Sequence, residues 1–353
     1  MLTLPLKKDI ETKEILKKSI RANSALSKLN GIVKIIPNEL ILINALALQE
    51  AKDSSEIENI ITTHDELYLA SVSDSFTKEI KEVQNYKEAL LYGFKQVKEK
   101  KIITSSDIIK IQSLITNNNA GIRRQIGTVL KNDKTGEIIY TPPQNYDEIM
   151  QLLNSLFLYI NDDNLEDYDY LIKMALIHYQ FESIHPFYDG NGRSGRILNV
   201  LYLVLKDLLD LPILYLSSYI IKHKADYYRL LQEVRTKKSY NEWILYILDA
   251  IEVTANQTSK LIENISILMD NTQNKIKTKL PKIYSKDLVE ILFLHPYTKI
   301  NTLVSKLGVT RKTASKYLKE LEKIEVLKEE KKGRNRYFIN IDLFEYLKKA
   351  INE

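Results

Sequence analysis

Along most of the chain, apolar positions recur three and four residues apart, as in "LIKMALIHYQFESI" and "ILNVLYLVLKDLLD", which is the spacing of a helix face. Only 10 Gly and 8 Pro interrupt 353 residues, so the pattern predicts a mainly α protein with few strands. One departure is "IGTVLKNDKTGEIIYTPP", residues 126–143, where two short β-prone segments flank a polar Asn-Asp-Lys-Thr-Gly turn and Pro142-Pro143 ends the second. That pattern predicts a hairpin. From Leu248 to Lys279 the chain lacks Gly and Pro and reads as one long helix ended by Pro281, placing a connecting helix at residues 251–282. Beyond it, "TKINTLVSKLGVTRKTASKYLKELEKIEVLKEEKKGRNRYFI" predicts a short helix, a turn at Gly308, a second helix beginning near Thr310 and two strands around "KKGRN". The expected organisation is a helical N-terminal region at 1–100, a helical core with the hairpin at 101–250, the connecting helix, and a winged helix-turn-helix at 283–353.

Composition narrows the classes. Hydrophobic residues at 44% and charged residues at 27% are globular usage, and a formal charge of +5 on 51 basic and 46 acidic side chains names no partner. The absence of Cys removes disulfides, thiolate metal sites and cysteine nucleophiles. The opening "MLTLPLKKDIETKEIL" has no signal-like apolar run, and no stretch approaches a membrane span, so a cytoplasmic protein with no membrane partner is expected.

The chemistry concentrates in "HPFYDGNGRSGR", residues 185–196. Pro186 disfavours helical geometry at His185, so the preceding helix must stop there, and the two Gly of the loop lead into a second helix near Asn191-Gly192. A Gly-rich turn feeding a helix N-terminus is an anion site, because free N–H groups converge where the macrodipole adds positive potential. Arg193 and Arg196, three residues apart, extend that site to a second phosphate. Asp189 among phosphates calls for a bridging Mg²⁺, and His185 is a side chain able to accept a proton from a hydroxyl at neutral pH.

This stretch resembles the signature of Fic-domain proteins, HPFx[D/E]GNGRxxR, and matches it at His185, Pro186, Phe187, Asp189, Gly190, Asn191, Gly192, Arg193 and Arg196. The flanking "HYQFESIHPF", "YTPP" and "LPILYLSSYIIKHKADYYRLL" extend the resemblance over most of residues 1–250. It implies an all-helical core with a β-hairpin flap that transfers AMP from ATP to a Ser, Thr or Tyr hydroxyl of a target protein and releases pyrophosphate. In that reading His185 is the general base and Asp189 the Mg²⁺ ligand. The segment Gly190, Asn191, Gly192, Arg193, Ser194 and Gly195 binds phosphates, and Arg196 clamps the γ-phosphate. The flap at 126–141 would dock the target protein by strand addition. Tyr227 and Tyr228 fall where relatives pack the adenine, although core packing serves equally for tyrosines in this chain.

Upstream, "SSEIEN" fits the family's inhibitory pattern [S/T]xxxE[G/N] with Ser54, Glu58 and Asn59. Ser54 and Glu58 lie one turn apart on an expected helix, and a carboxylate on Arg196 would occupy the arginine meant for the γ-phosphate. In the C-terminal module, Thr310, Arg311, Lys312, Ser315, Lys316 and the basic "KKGRNR" suit DNA phosphates, while protein docking or dimerisation is the other use of such a module. Three functions stay open: an autoinhibited protein adenylyltransferase, with itself among its targets; removal of AMP from a modified protein; and a nucleotide-sensing DNA-binding regulator. Whether the chain acts as a homodimer is not written in the sequence.

Overall fold

The computed structural model describes residues 4–72, 77–131, 135–332 and 335–349. Two compact units emerge, one comprising Met1–Asn30, Glu50–Ile60 and Glu82–Asn256, the other Gly31–Gln49, Ile61–Lys81 and Gln257–Glu353. In chain order, the helices of the N-terminal third are α1 (Lys13–Ile32), α2 (Glu39–Ile57), α3 (His64–Ala70), α4 (Lys78–Lys100) and α5 (Ser105–Thr116). Strands β1 (Leu130–Lys131) and β2 (Ile138–Tyr140) follow, then α6 (Tyr146–Asn161), α7 (Tyr170–Ile184), α8 (Asn191–Leu205), α9 (Ser217–Lys222), α10 (Lys224–Lys237) and α11 (Tyr240–Lys279). The remainder holds α12 (Lys286–Leu294), β3 (Tyr297–Thr298), α13 (Ile300–Leu307), α14 (Arg311–Lys323), β4 (Lys328–Lys332), β5 (Asn335–Ile339) and α15 (Ile341–Lys349). The protein is mainly helical, as the spacing predicts.

The first unit is built around α7. Every residue from Leu171 to Ile184 is buried, so the helix has no solvent face and is packed on all sides, in contact with α6 and α8. Trp243 on α11 is fully buried and donates its indole N–H to the Ala175 carbonyl at 2.7 Å. The hairpin is present and irregular: Leu130 pairs with Tyr140 and Lys131 with Ile138, which leaves Ile139 as a bulge. Its turn residues Asn132, Asp133 and Lys134 lie outside the described residues. The flap is tied down by Tyr140, whose hydroxyl donates to the Ser183 carbonyl at 2.9 Å and whose ring lies 3.9 Å from the Arg235 guanidinium.

The second unit contains the expected helix pair and strand pair. α13 ends on Gly308 in the left-handed region, φ 65°, and Thr310 caps α14 by accepting the Thr313 N–H at 3.2 Å. The sheet runs β3-β5-β4 and is antiparallel throughout. Leu288, Leu292, Leu303, Ala314, Leu318, Leu321 and Phe338 form its core. The connecting helix is longer than predicted: α11 starts at Tyr240, eight residues before Leu248, because "YNEWILYI" keeps the same apolar spacing.

Candidate active site

Two sequence features stop α7 at Ile184 and launch α8 at Asn191, with six residues between them. His185 is the C-cap of α7 at φ 48°, ψ 59°, the left-handed conformation that closes many helices, and it leaves the right-handed helical region that Pro186 disfavours. Gly190, at φ 80°, precedes α8. Between them Asn191 closes the loop on itself: its Oδ1 accepts the Phe187 N–H and its Nδ2 donates to the Phe187 carbonyl, both at 2.8 Å. Gln112 on α5 holds the loop from outside, donating to the Asp189 carbonyl at 3.0 Å. Asn191 thus contributes to the anion site through its main chain, while its side chain is a staple.

His185 is well placed to take a proton. Its Nδ1 is enclosed by the protein, with the Glu182 main chain beside the ring. Burial pushes its pKa down to about 4, and the Arg123 and Arg235 guanidiniums push in the same direction against Glu58. The imidazole is therefore neutral at pH 7. Asp189 is the loop's exposed carboxylate, its side chain 70% accessible. Its Oδ1 accepts the Gly190 N–H at 2.6 Å and its Oδ2 lies 3.5 Å from Arg193. An exposed carboxylate at the mouth of a helix N-terminus, its Oδ2 met by a long ion pair with Arg193, fits a divalent cation shared with phosphate. Arg193 is buried and pairs chiefly with Glu82 on α4 at 3.2 Å.

Arg196 is the most constrained of the set. It is 2% exposed, and its Nε donates to Ser54 Oγ at 2.7 Å. Its Nη2 donates to the Ser54 carbonyl at 2.9 Å and to Glu58 Oε1 at 2.7 Å. Burial would raise the Glu58 pKa, but the charge and hydrogen bond of Arg196, helped by Arg193 and Lys224, outweigh it and the net direction is down. The same carboxylate hangs over the start of α8: a Cβ on Gly192 would run into Glu58 Oε1 and come within 3.0 Å of Arg196 Nη1. Glu58 therefore occupies the place where the helix N-terminus and Arg196 would receive an anion.

The sequence placed Glu58 and Asn59 on a helix, and here the structure differs. α2 ends at Ile57, and Asn59 adopts φ 63°, a conformation that Asn and Gly tolerate best. Lys224 caps the end, donating to the Ile57 carbonyl at 2.6 Å and reaching Asn59 Oδ1 at 3.4 Å.

Tyr227 and Tyr228 part company. Tyr227 is 2% exposed, donates to or accepts from His178 Nε2 at 2.8 Å, and packs with Trp243 and Tyr246. That is the core-packing alternative, and its ring offers no open face. Tyr228 is 46% exposed, its ring set edge-on to Tyr227 at 5.2 Å. Ser194 and Gly195 are buried in the first turns of α8, and a Cβ on Gly195 would lie 2.6 Å from Glu182 Oε1.

Several participants escape sequence reasoning. Glu182 lies beneath Arg196 with Oε1 unpartnered, and burial, opposed by Arg196, pushes its carboxyl up to about 7. Glu50 on α2 is 2% exposed and accepts from Tyr86 Oη at 3.0 Å and from the Ser217 N–H at 3.1 Å. Burial raises it to about 7 against those bonds. Arg123 is fully buried against the His185 carbonyl. The signal for all three is an ionisable residue inside an apolar stretch, visible for Glu182 in "HYQFESI" and weak for the others.

Three family models match: Fic/DOC family N-terminal over residues 16–95, Fic/DOC family over 102–203, and "Protein adenylyltransferase SoFic-like, C-terminal domain" over 268–343. Protein adenylyltransferase fic-1 of Caenorhabditis elegans is 34% identical over 56 residues, 16% of this chain. The match spans 11% of that curated relative's length. Among solved structures, a Fic family protein from Desulfovibrio desulfuricans superposes with TM-score 0.59 at 18% identity, covering 93% of this chain and 96% of that one. A Fic domain containing signaling protein from Bacteroides thetaiotaomicron gives 0.57 at 18%, covering 70% and 97%, and C. elegans Fic-1 gives 0.56 at 19%, covering 71% and 73%. These likenesses carry the fold. The central model encloses the whole loop from His185 to Arg196 with the Gln112 that holds it, and the N-terminal model encloses Ser54 and Glu58. The chain belongs to the Fic/DOC family.

Proposed function

We propose that the protein is an autoinhibited protein adenylyltransferase, transferring AMP from ATP to a hydroxyl of a target protein. The observation that carries this reading is the convergence of a neutral imidazole, an exposed carboxylate and two arginines on one helix N-terminus, with Glu58 seated on Arg196. In the reaction the target hydroxyl oxygen bonds to the α-phosphorus, the bond from that phosphorus to the bridging oxygen breaks, and pyrophosphate leaves with the electron pair. His185 Nε2 accepts the hydroxyl proton. The N–H groups at the start of α8 and the guanidinium of Arg196 hold the departing phosphates. A Mg²⁺ held by Asp189 would neutralise phosphate charge when bound. While Glu58 pairs with Arg196, the γ-phosphate loses its clamp and the α-phosphate is not held for in-line attack.

Target docking is assigned to the flap, residues 126–141, where Ile126, Ile138 and Ile139 are exposed. A DNA partner is supported by a specific feature of α14: Arg311, Lys312 and Lys316 are exposed at its N-terminal end, while Glu320, Glu322 and Glu329 pair with Lys323, Lys319 and Arg336. Gly333 and Arg334 of the basic tip lie outside the described residues.

The test is incubation of the full chain with Mg²⁺ and each nucleoside triphosphate labelled on the α-phosphate, with and without a cell lysate, followed by intact mass. Gain of one AMP from ATP, lost in His185→Ala, is expected. No nucleotide transfer by the parent or by Glu58→Gly sinks the reading, and loss of AMP from a pre-modified protein would favour the reverse reaction.

A further inference from the structure

Arg123 is a charged side chain with no exposed surface, and among the described residues no carboxylate pairs with it. Its Nε donates to the His185 carbonyl at 2.8 Å; its Nη2 donates to the Pro143 carbonyl and lies 3.4 Å from the Ile184 carbonyl; and its Nη1 is enclosed without a partner. The main chain follows the same course, since the Arg123 N–H donates to the Pro186 carbonyl at 2.9 Å and Ile122 bridges Phe187. Three carbonyls from two places are thus gathered on one guanidinium: the end of α7, and the proline that closes the hairpin.

Capping the end of α7 does not require this. Orphan carbonyls at a helix end are commonly met by water or by a glycine turn, and a cation there is ordinarily exposed. Burying a guanidinium without a counter-ion costs the desolvation of its charge. What it holds is a residue in the left-handed region, where a side chain with a Cβ is itself disfavoured. We propose that Arg123 is a positioning residue for His185, fixing the main chain that carries the imidazole and tying it to the foot of the flap. The inference rests on the reading of His185 as the proton acceptor.

The same cation bears on the ring. The charged groups that face His185 are Arg123 from the segment after α5, Arg235 from α10 and Glu58 from the end of α2, while the main chain of Glu182 on α7 meets it from below. Arg123 and Arg235 both favour the neutral imidazole and Glu58 opposes them. A positioning residue of this kind acts on geometry through its fork of donors and on protonation through its charge. Lysine keeps the second and loses the first.

The experiment compares Arg123→Lys and Arg123→Met in the full chain carrying Glu58→Gly, so that transfer is measurable. Three quantities are read: ATP affinity by calorimetry, transfer rate at saturating ATP, and the His185 ring pKa by NMR, assigned by loss of its signal in His185→Gln. Both variants should bind ATP within about threefold of the parent and transfer at least about tenfold more slowly, because the base is displaced and the phosphate site is not. In Arg123→Met the His185 pKa should also rise toward its ordinary value, whereas in Arg123→Lys it should stay low. Transfer within threefold of the parent in either folded variant, or an unmoved His185 pKa in Arg123→Met, overturns the proposal. If Arg123→Met does not fold, Arg123→Lys decides by rate alone. If the parent transfers nothing, the adenylyltransferase reading has failed, and the His185 titration still decides whether Arg123 sets that ring.

Discussion

At the scale of single residues, the contact between Glu58 and Arg196 decides how much of the site is available. Glu58→Gly removes the carboxylate but leaves Ser54 on Nε and Nη2, so the guanidinium keeps its place with one edge freed toward Gly192. Transfer should rise by roughly 10- to 100-fold, the range expected when one charge-assisted phosphate contact is restored. The gain should disappear in Glu58→Gly combined with His185→Ala, because a well-held phosphate does nothing without a proton acceptor. Unchanged transfer in the single variant would return Glu58 to a structural part. Asn59, by its positive φ, shows why the pattern ends on Asn or Gly: the chain must turn immediately after the carboxylate.

At the scale of elements, the legible parts were those whose cause lies within a few positions. The end of α7 at His185, the loop of two glycines and the start of α8 follow from Pro186, Gly190 and Gly192. The helix pair around Gly308 follows from its own spacing, and the hairpin from its turn residues. Contacts between distant segments were not legible: Arg123 meets Ile184 and His185 sixty-odd positions away, Glu50 meets Ser217, and nothing in either local stretch announces the partner. Tyr227 was ambiguous for the same reason, since its burial depends on His178 and Trp243. α14 supports a prediction of its own. Its exposed Lys312 and Lys316 would meet phosphate oxygens, so Lys312→Glu with Lys316→Glu should weaken binding of the full chain to duplex DNA and flatten its dependence on salt by about two phosphate contacts. Absence of salt-dependent binding in the parent would leave α14 as a protein-docking helix.

At the scale of the molecule, buried ionisable groups of opposite sense shape the response to pH. His178, pushed by burial to about 3, and His185, at about 4, stay neutral in the fold while the unfolded chain protonates near 6.5. Stability they confer is lost as pH falls from 6.5. Glu50 and Glu182, raised to about 7 from 4.5, act the other way: their stability is present below 4.5 and lost as pH rises through 7. Between pH 4.5 and 6.5 the two pairs oppose each other, so the urea midpoint should change little; below 4.5 it should fall steeply. Glu50→Gln removes one opposing group, and its stability should climb with pH across that window by up to about 1.4 kcal/mol per unit. The same slope in Glu50→Gln as in the parent would mean that Glu50 ionises normally in the fold.

The enclosure of α7 has a further consequence, in the rates at which parts of the molecule open. With every residue from Leu171 to Ile184 buried, the amides that carry His185 can meet solvent only when the first unit unfolds as a whole. Glu58, by contrast, stands on a short turn held by the Ser55 and Glu56 carbonyls, with its side chain 35% accessible. In hydrogen–deuterium exchange, residues 58–60 should therefore exchange orders of magnitude faster than α7. If Glu58 restrains transfer and His185 accepts the proton, as proposed, gentle warming should raise transfer before it unfolds the first unit.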